Sequence, residues 1–103
     1  MASHTIERTG KQILVTLQGD LTAAIVPDVQ AALKQELEKN AEEVIFDLGK
    51  AVMLDSSGIG LLIAACNTLS RAHCRMRVIN VSADILQLLQ SMRLINRLQA
   101  TGR

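Results

Sequence analysis

Residues 53–65 read MLDSSGIGLLIAA, an acid, two serines and a glycine set directly before an aliphatic run. Apolar residues continue through Ile59, Leu62, Ile63, Cys66 and Leu69. That spacing belongs to a helix with one apolar stripe. Asp, Ser and Gly are the residues that break a strand and open a helix. Just upstream, EVIFDL (43–48) is a short, nearly continuous apolar run, the pattern of a central strand buried on both faces. The stretch is a strand-to-helix junction, and the remaining elements can be ordered around it.

Toward the start, HTIER (4–8) and KQILVTLQ (11–18) flank Thr9-Gly10. A hairpin turn fits there because Gly tolerates positive φ. Ile13, Val15 and Leu17 alternate as a strand requires, and GDLT (19–22) ends the alternation. From Ile25 to Lys39 the period changes: Ile25, Val29, Ala32, Leu33 and Leu37 share one face of an amphipathic helix, with Pro27 near its start. Toward the end, RMRVINV (75–81) reads as a strand. Ser82 reads as the N-cap of a helix carrying Ile85, Leu88, Leu89 and Met92. RLINRLQA (93–100) fits a short helix, a strand or both.

The order is hairpin, helix, strand, helix, strand, helix. It predicts one α/β domain over 1–103, with a mixed central β-sheet, an N-terminal hairpin plus parallel crossovers, packed against α-helices. Loops after the strand C-terminal ends gather on one sheet edge, where ligands and partners bind. Both GDLT and GKAVMLDSSG (49–58) fall on that edge.

Composition excludes several function classes. Half the residues are apolar (49%) and a fifth charged (20%), which is globular usage. Trp and Tyr are absent and Phe46 is the one aromatic, so no stacking platform for single-stranded nucleic acid is expected. A net charge of +1 leaves no electrostatic footprint for phosphate backbones or anionic lipid. The opening MASHTIERTGK lacks the apolar core of a signal peptide, and no run reaches about 18 apolar residues. A cytoplasmic protein with no nucleic-acid or membrane partner is expected. Cys66 and Cys74 have no second pair to make a zinc framework and read as buried thiols in or near the apolar helix. No metal or cofactor is expected, and no aromatic-rich patch suggests anything but a monomer when free.

The two serines admit four readings. A nucleophile elbow wants Gly two residues either side of the serine; Leu54 and Gly58 frame Ser56, and Asp55 and Ile59 frame Ser57. The histidines are His4, in a terminus expected to be mobile, and His73, at the far end of the helix. At 1.5 Å per residue that puts His73 more than ~20 Å away, so a nucleophile would lack its base. A nucleotide cradle would need a following Lys-Ser or a G-x-G-x-x-G, and neither is present. A plain helix cap, typically about 1 kcal/mol, accounts for one acceptor where the stretch offers three. A phosphate acceptor is the fourth: a helix N-terminus tolerates added negative charge, and Ala51, Val52, Met53 and Leu54 beside it would suit a protein partner. At least half of those four are expected to tuck under the helix instead. The residues alone leave a helix cap and a regulatory site both open.

LDSSGIGLL (54–62), with GDLT upstream and VINVSADILQLLQSMRL (78–94) downstream, resembles the STAS family, and most closely the bacterial anti-sigma-factor antagonists. The resemblance spans about Lys11 to Leu98 and rests on a D-S-[ST]-G-[LI]-G signature between a strand and a long helix. It implies partner switching. Such antagonists bind an anti-sigma factor that is also a serine kinase and so free a sigma factor. Phosphorylation of the serine after the Asp dissociates the complex, and a PP2C-type phosphatase reverses it. By position the acceptor is Ser56. The resemblance makes Asp20, Thr22, Met53, Asp55, Ser57, Gly58, Ile59 and Gly60 the partner-binding surface, and implies no catalysis. Gly60 would either admit a partner's backbone or serve tight packing. Family members in other machines, a lipid-transport ATPase accessory or a signalling scaffold, bind without a phosphoswitch. Two departures stand out. Thr22 occupies the final position of the usual G-[ED]-[LI]-D, and Arg93 precedes Leu94 where a Gly is common. No last strand is legible in the tail.

Overall fold

A computed structural model describes residues 3–103; Met1 and Ala2, the first two residues of the opening stretch weighed as a signal peptide, lie outside them. The chain forms β1 (His4–Thr9), β2 (Gln12–Leu17), α1 (Val26–Leu37), β3 (Glu43–Asp47), α2 (Ser56–Arg71), β4 (Arg75–Val81), α3 (Ala83–Ser91), α4 (Ile95–Leu98) and β5 (Ala100–Gly102). Among the described residues these strands make one sheet in the order β1-β2-β3-β4-β5. β1 runs antiparallel to β2, with Thr9 opposite Gln12, and Gly10 takes a φ of 61° in the turn. The other neighbours are parallel, as alternating strands and helices require.

The core is aliphatic and lies between the sheet and its helices. Ile13, Val15 and Leu17 of β2, Val44 and Phe46 of β3 and Val78 of β4 are fully buried with Val29, Leu62 and Leu69 of the helices. The central strand β3 also buries Glu43. Gln12 Nε2 (2.6 Å) and Arg77 Nε (3.1 Å) donate to its carboxylate. Those hydrogen bonds, Gln12's foremost, outweigh burial and hold the carboxyl below its usual range.

The structure departs from the sequence expectations in three places and settles a fourth, the tail, which is both a short helix and a strand, α4 and β5. Gln99 turns the chain after α4 with a φ of 51°, and Val78 N–H donates to its carbonyl at 3.2 Å; three residues of β5 are too few to show an alternating pattern. His4 opens β1, paired with Leu17, so it is not in a loose terminus. In α3, Ile85 and Leu89 are buried while Leu88 and Met92 face outward, because a nine-residue helix needs only one i, i+4 line to seat it. Cys66, within α2, is half-buried and not buried, whereas Cys74 is buried just past the end of α2, as expected of a thiol near that helix.

Arg93 explains one of the family departures. Leu94 N–H donates to Leu89 O (2.9 Å) and Arg93 N–H to Gln90 O (3.0 Å), the paired bonds of a Schellman cap. Such a cap needs a left-handed residue, and Arg93 supplies it at a φ of 58°, where glycine has no Cβ clash. Arg93→Gly is expected to stabilise the fold by about 0.5–1 kcal/mol, read as a rise of several degrees in Tm. A lower Tm would mean the Arg93 side chain does more than occupy the turn.

Candidate functional site

β2 and β3 lie side by side and parallel, so the loops that leave their C-terminal ends run together over one edge of the sheet. They meet in a parallel bridge between Leu21 and Leu54, with Leu21 N–H donating to Met53 O and Asp55 N–H to Leu21 O, each at 3.3 Å. Two carboxylates lace the loops from opposite sides. Asp20 Oδ1 accepts from Val52 N–H (2.7 Å) and Met53 N–H (3.1 Å). Asp55 Oδ2 accepts from Ala23 N–H (2.9 Å), and its Oδ1 accepts from Gly58 N–H (2.9 Å). Asp20, through Oδ1, and Asp55, through both oxygens, bind the backbone of their own chain. They set the shape of the surface.

The cap of α2 is therefore Asp55, in extended backbone with its side chain on the third helical amide. Ser56 is the first helical residue. It is exposed, and its hydroxyl has no hydrogen-bond partner among the described residues. Ser57 is half-buried beside it, Gly58 buried, Ile59 half-buried and Gly60 exposed. Thr22 O accepts from Ile25 and Val26 N–H, both at 3.0 Å, and so turns the first loop into α1. Of the four apolar residues before the site, Ala51 and Leu54 are buried, as expected for half of them. Val52 is 70% exposed and Met53 54%. The capping explanation for Ser56 is thereby removed. What remains is a free hydroxyl beside two exposed apolar side chains on a tightly laced frame.

The glycines divide differently from expectation. A Cβ on Gly58 would run into the Leu21 carbonyl oxygen, with Leu21 C and Cγ at 3.1 Å, whereas Gly60 has open space. The packing requirement belongs to Gly58, and Gly60 has no packing neighbour that demands a glycine. No sequence signal distinguished the two, because the contact is made by a loop more than thirty residues away.

Asp55 carries the electrostatics of the junction. The Ala23 and Gly58 N–H groups hold its carboxyl below the ordinary aspartate range, which is about 3.9 unfolded. A depressed folded value adds stability above that unfolded value, and the contribution is lost as pH falls below about 4. Asp55→Asn turns an acceptor toward Ala23 into an amide and is expected to unfold at lower urea than wild type at pH 7. That gap should narrow as pH drops toward 3. A gap independent of pH would show that shape, not charge, is what Asp55 supplies.

Three clefts lie elsewhere. One of about 650 Å³ is lined by Leu86, Arg93 and Ile95. One of about 430 Å³ runs between α1 and α2 over Leu33, Leu37 and Leu61. A third, of about 510 Å³, includes Cys66, Cys74 and Arg75. Among the described residues no cluster of three metal-ligating side chains occurs and no helix is long and apolar enough to cross a membrane. His73 follows the far end of α2.

The STAS domain model matches residues 3–101. The chain belongs to the STAS domain family. A search of curated proteins finds no match. Among solved structures, this STAS domain is similar to the Bacillus cell fate determinant SpoIIAA in its phosphorylated form, at 20% identity and a TM-score of 0.77, covering 97% of this chain and 92% of that one. The unphosphorylated form of SpoIIAA, described as an anti-sigma factor antagonist, aligns at a TM-score of 0.73 with 20% identity, over 93% of this chain and 97% of that one. An anti-sigma factor antagonist from Mycobacterium paratuberculosis aligns at 0.83 with 15% identity, over 97% and 85%. The murine anion transporter Slc26a9 also contains the fold: a TM-score of 0.76 at 13% identity covers 93% of this chain but 17% of the transporter.

Proposed function

We propose that this STAS domain is an anti-sigma-factor antagonist in a bacterial partner-switching pathway. Its unphosphorylated form binds an anti-sigma factor with serine-kinase activity in the cytoplasm and frees a sigma factor. Phosphorylation at Ser56 ends the binding, and a PP2C-type phosphatase restores it. The antagonist is a monomer when free and performs no catalysis itself. One observation carries the reading. Ser56 is exposed and its hydroxyl has no partner among the described residues, because Asp55 already caps α2, and it stands near the exposed Val52 and Met53 in sequence. A hydroxyl with no structural task, on a hydrogen-bonded and partly apolar surface, is suited to be a modified group in an interface. The likeness to SpoIIAA, solved in both phosphorylated and unphosphorylated forms, supports the same reading. Asp20, Thr22, Met53, Asp55, Ser57, Gly58, Ile59 and Gly60 then form the rest of the partner surface around it, with Asp20, Asp55 and Gly58 also setting its shape.

A pull-down from the native cell extract with ATP tests this directly. Wild type, Ser56→Ala and Ser56→Asp serve as baits, and the intact mass of recovered wild type is recorded. Wild type is expected to gain one phosphate, and a kinase-like protein to follow Ser56→Ala but not Ser56→Asp. Should all three baits recover one partner with no mass change, the domain is a constitutive binding module, as the STAS portion of a larger machine would be.

A further inference from the structure

The loop that leads to Ser56 is held at a second point, on the side away from Asp20. Arg103 Nη2 donates to Gly49 O at 2.7 Å and its Nε to Asn80 O at 3.4 Å. The same Gly49 donates its N–H to Asp47 Oδ1 at 2.8 Å, while Asp47 Oδ2 accepts from Asn80 Nδ2 at 3.2 Å. Gly49 is thus gripped by both its N–H and its carbonyl. Asn80 can serve two partners because its backbone is left-handed, with a φ of 57°, a conformation Asn tolerates. The ladder between β4 and β5 slips register between Val78 and Val81, and such a bulge re-aims the groups at its centre.

From this geometry we infer that Arg103 is a positioning residue for the surface around Ser56, acting through Gly49. Ala51 N–H donates to Leu48 O at 3.0 Å, closing a tight turn whose second residue is Gly49. Ala51 is buried, and the next two residues are the exposed Val52 and Met53, tied by Asp20. Arg103 from the β4 side and Asp20 from the β2 side thus both hold the segment that carries this pair. Arginine suits the task because its planar fork delivers separate N–H donors to two carbonyls; a lysine presents a single point of attachment. The last strand thereby has a role beyond sheet closure: it brings Arg103 to the loop from 54 residues away in sequence.

The consequence for binding rests on the proposed function, but the positioning itself can be read without a partner. Hydrogen exchange at Gly49, Ala51, Val52 and Met53, whose amides are all bonded in this network, is the measurement. In Arg103→Ala their exchange is expected to quicken at least threefold, with β3 and α2 amides unchanged, and Arg103→Lys should fall between. Unchanged exchange at these four residues, or an equal rise throughout the sheet, would overturn the inference. As a second readout, adding Arg103→Ala to the Ser56→Ala bait should reduce partner recovery several-fold; equal recovery would overturn the role in binding. If Ser56→Ala captures nothing, the proposed function has failed, and exchange alone decides this inference.

Discussion

Gly58→Ala is expected to destabilise the fold by about 2–3 kcal/mol, the scale of forcing an extra methyl into packed backbone. Helix propensity favours alanine by up to about 1 kcal/mol, so the sign is decided by the clash. The new Cβ would meet the Leu21 carbonyl oxygen, a main-chain atom that cannot swing aside like a side chain. Leu21 is also fully buried and bridged to Leu54. Moving it parts the two loops and pulls Ala23 from Asp55. At roughly 4–8 °C per kcal/mol for a domain of this size, Tm should fall by about 10 °C or more. Gly60→Ala is the internal control. With nothing within 4 Å of its Cβ, it should raise Tm by a few degrees, following propensity alone. Equal changes in both variants would mean the Leu21 contact relaxes freely.

This contrast also marks how far the sequence could be read. Elements announced by periodicity were legible: Ile13, Val15 and Leu17 alternate and are buried, and β3 is as apolar as its central place demands. The edge carrying both loops followed from element order alone. Contacts made between distant loops were not legible. Asp20 and Asp55 look like surface acids until the two loops lie side by side. The same holds for Gly58, whose need for space is set by Leu21, and for Arg103, whose partners lie on β4 and in the loop after β3. The tail's split into a four-residue α4 and a three-residue β5 was not legible, because each is shorter than the period that would tell helix from strand. The motif singles out Ser56, but which of Asp55, Ser56 and Ser57 caps α2 is decided only by the fold, where Asp55 takes that place.

Phosphoserine at position 56 is expected to weaken binding of the captured partner at least a hundredfold while leaving Tm within a few degrees of the unmodified domain. The free protein has room for the group because Ser56 is exposed, so no desolvation cost arises there. The positive end of α2 favours an anion by about 0.3–1 kcal/mol, and the adjacent Asp55 carboxylate opposes it; the two effects offset. In a complex that covers Val52 and Met53 the balance changes. A dianion moved into an apolar contact without a cation to meet it costs several kcal/mol, and each 1.4 kcal/mol is tenfold in affinity. Ser56→Asp carries one charge where phosphate carries nearly two, so its loss should be smaller, at least tenfold. The second phosphate ionisation falls near pH 6, which supplies a signature no structural defect would mimic. Between pH 5.5 and 7.5 the phosphoprotein should lose further affinity, relative to unmodified protein, while Ser56→Asp keeps a constant deficit. Calorimetric titration of the three forms across that range decides the matter. A phosphoprotein that binds as tightly as the unmodified domain would rule out Ser56 as the switch, and a deficit that is flat with pH would place its cause in shape and not in charge.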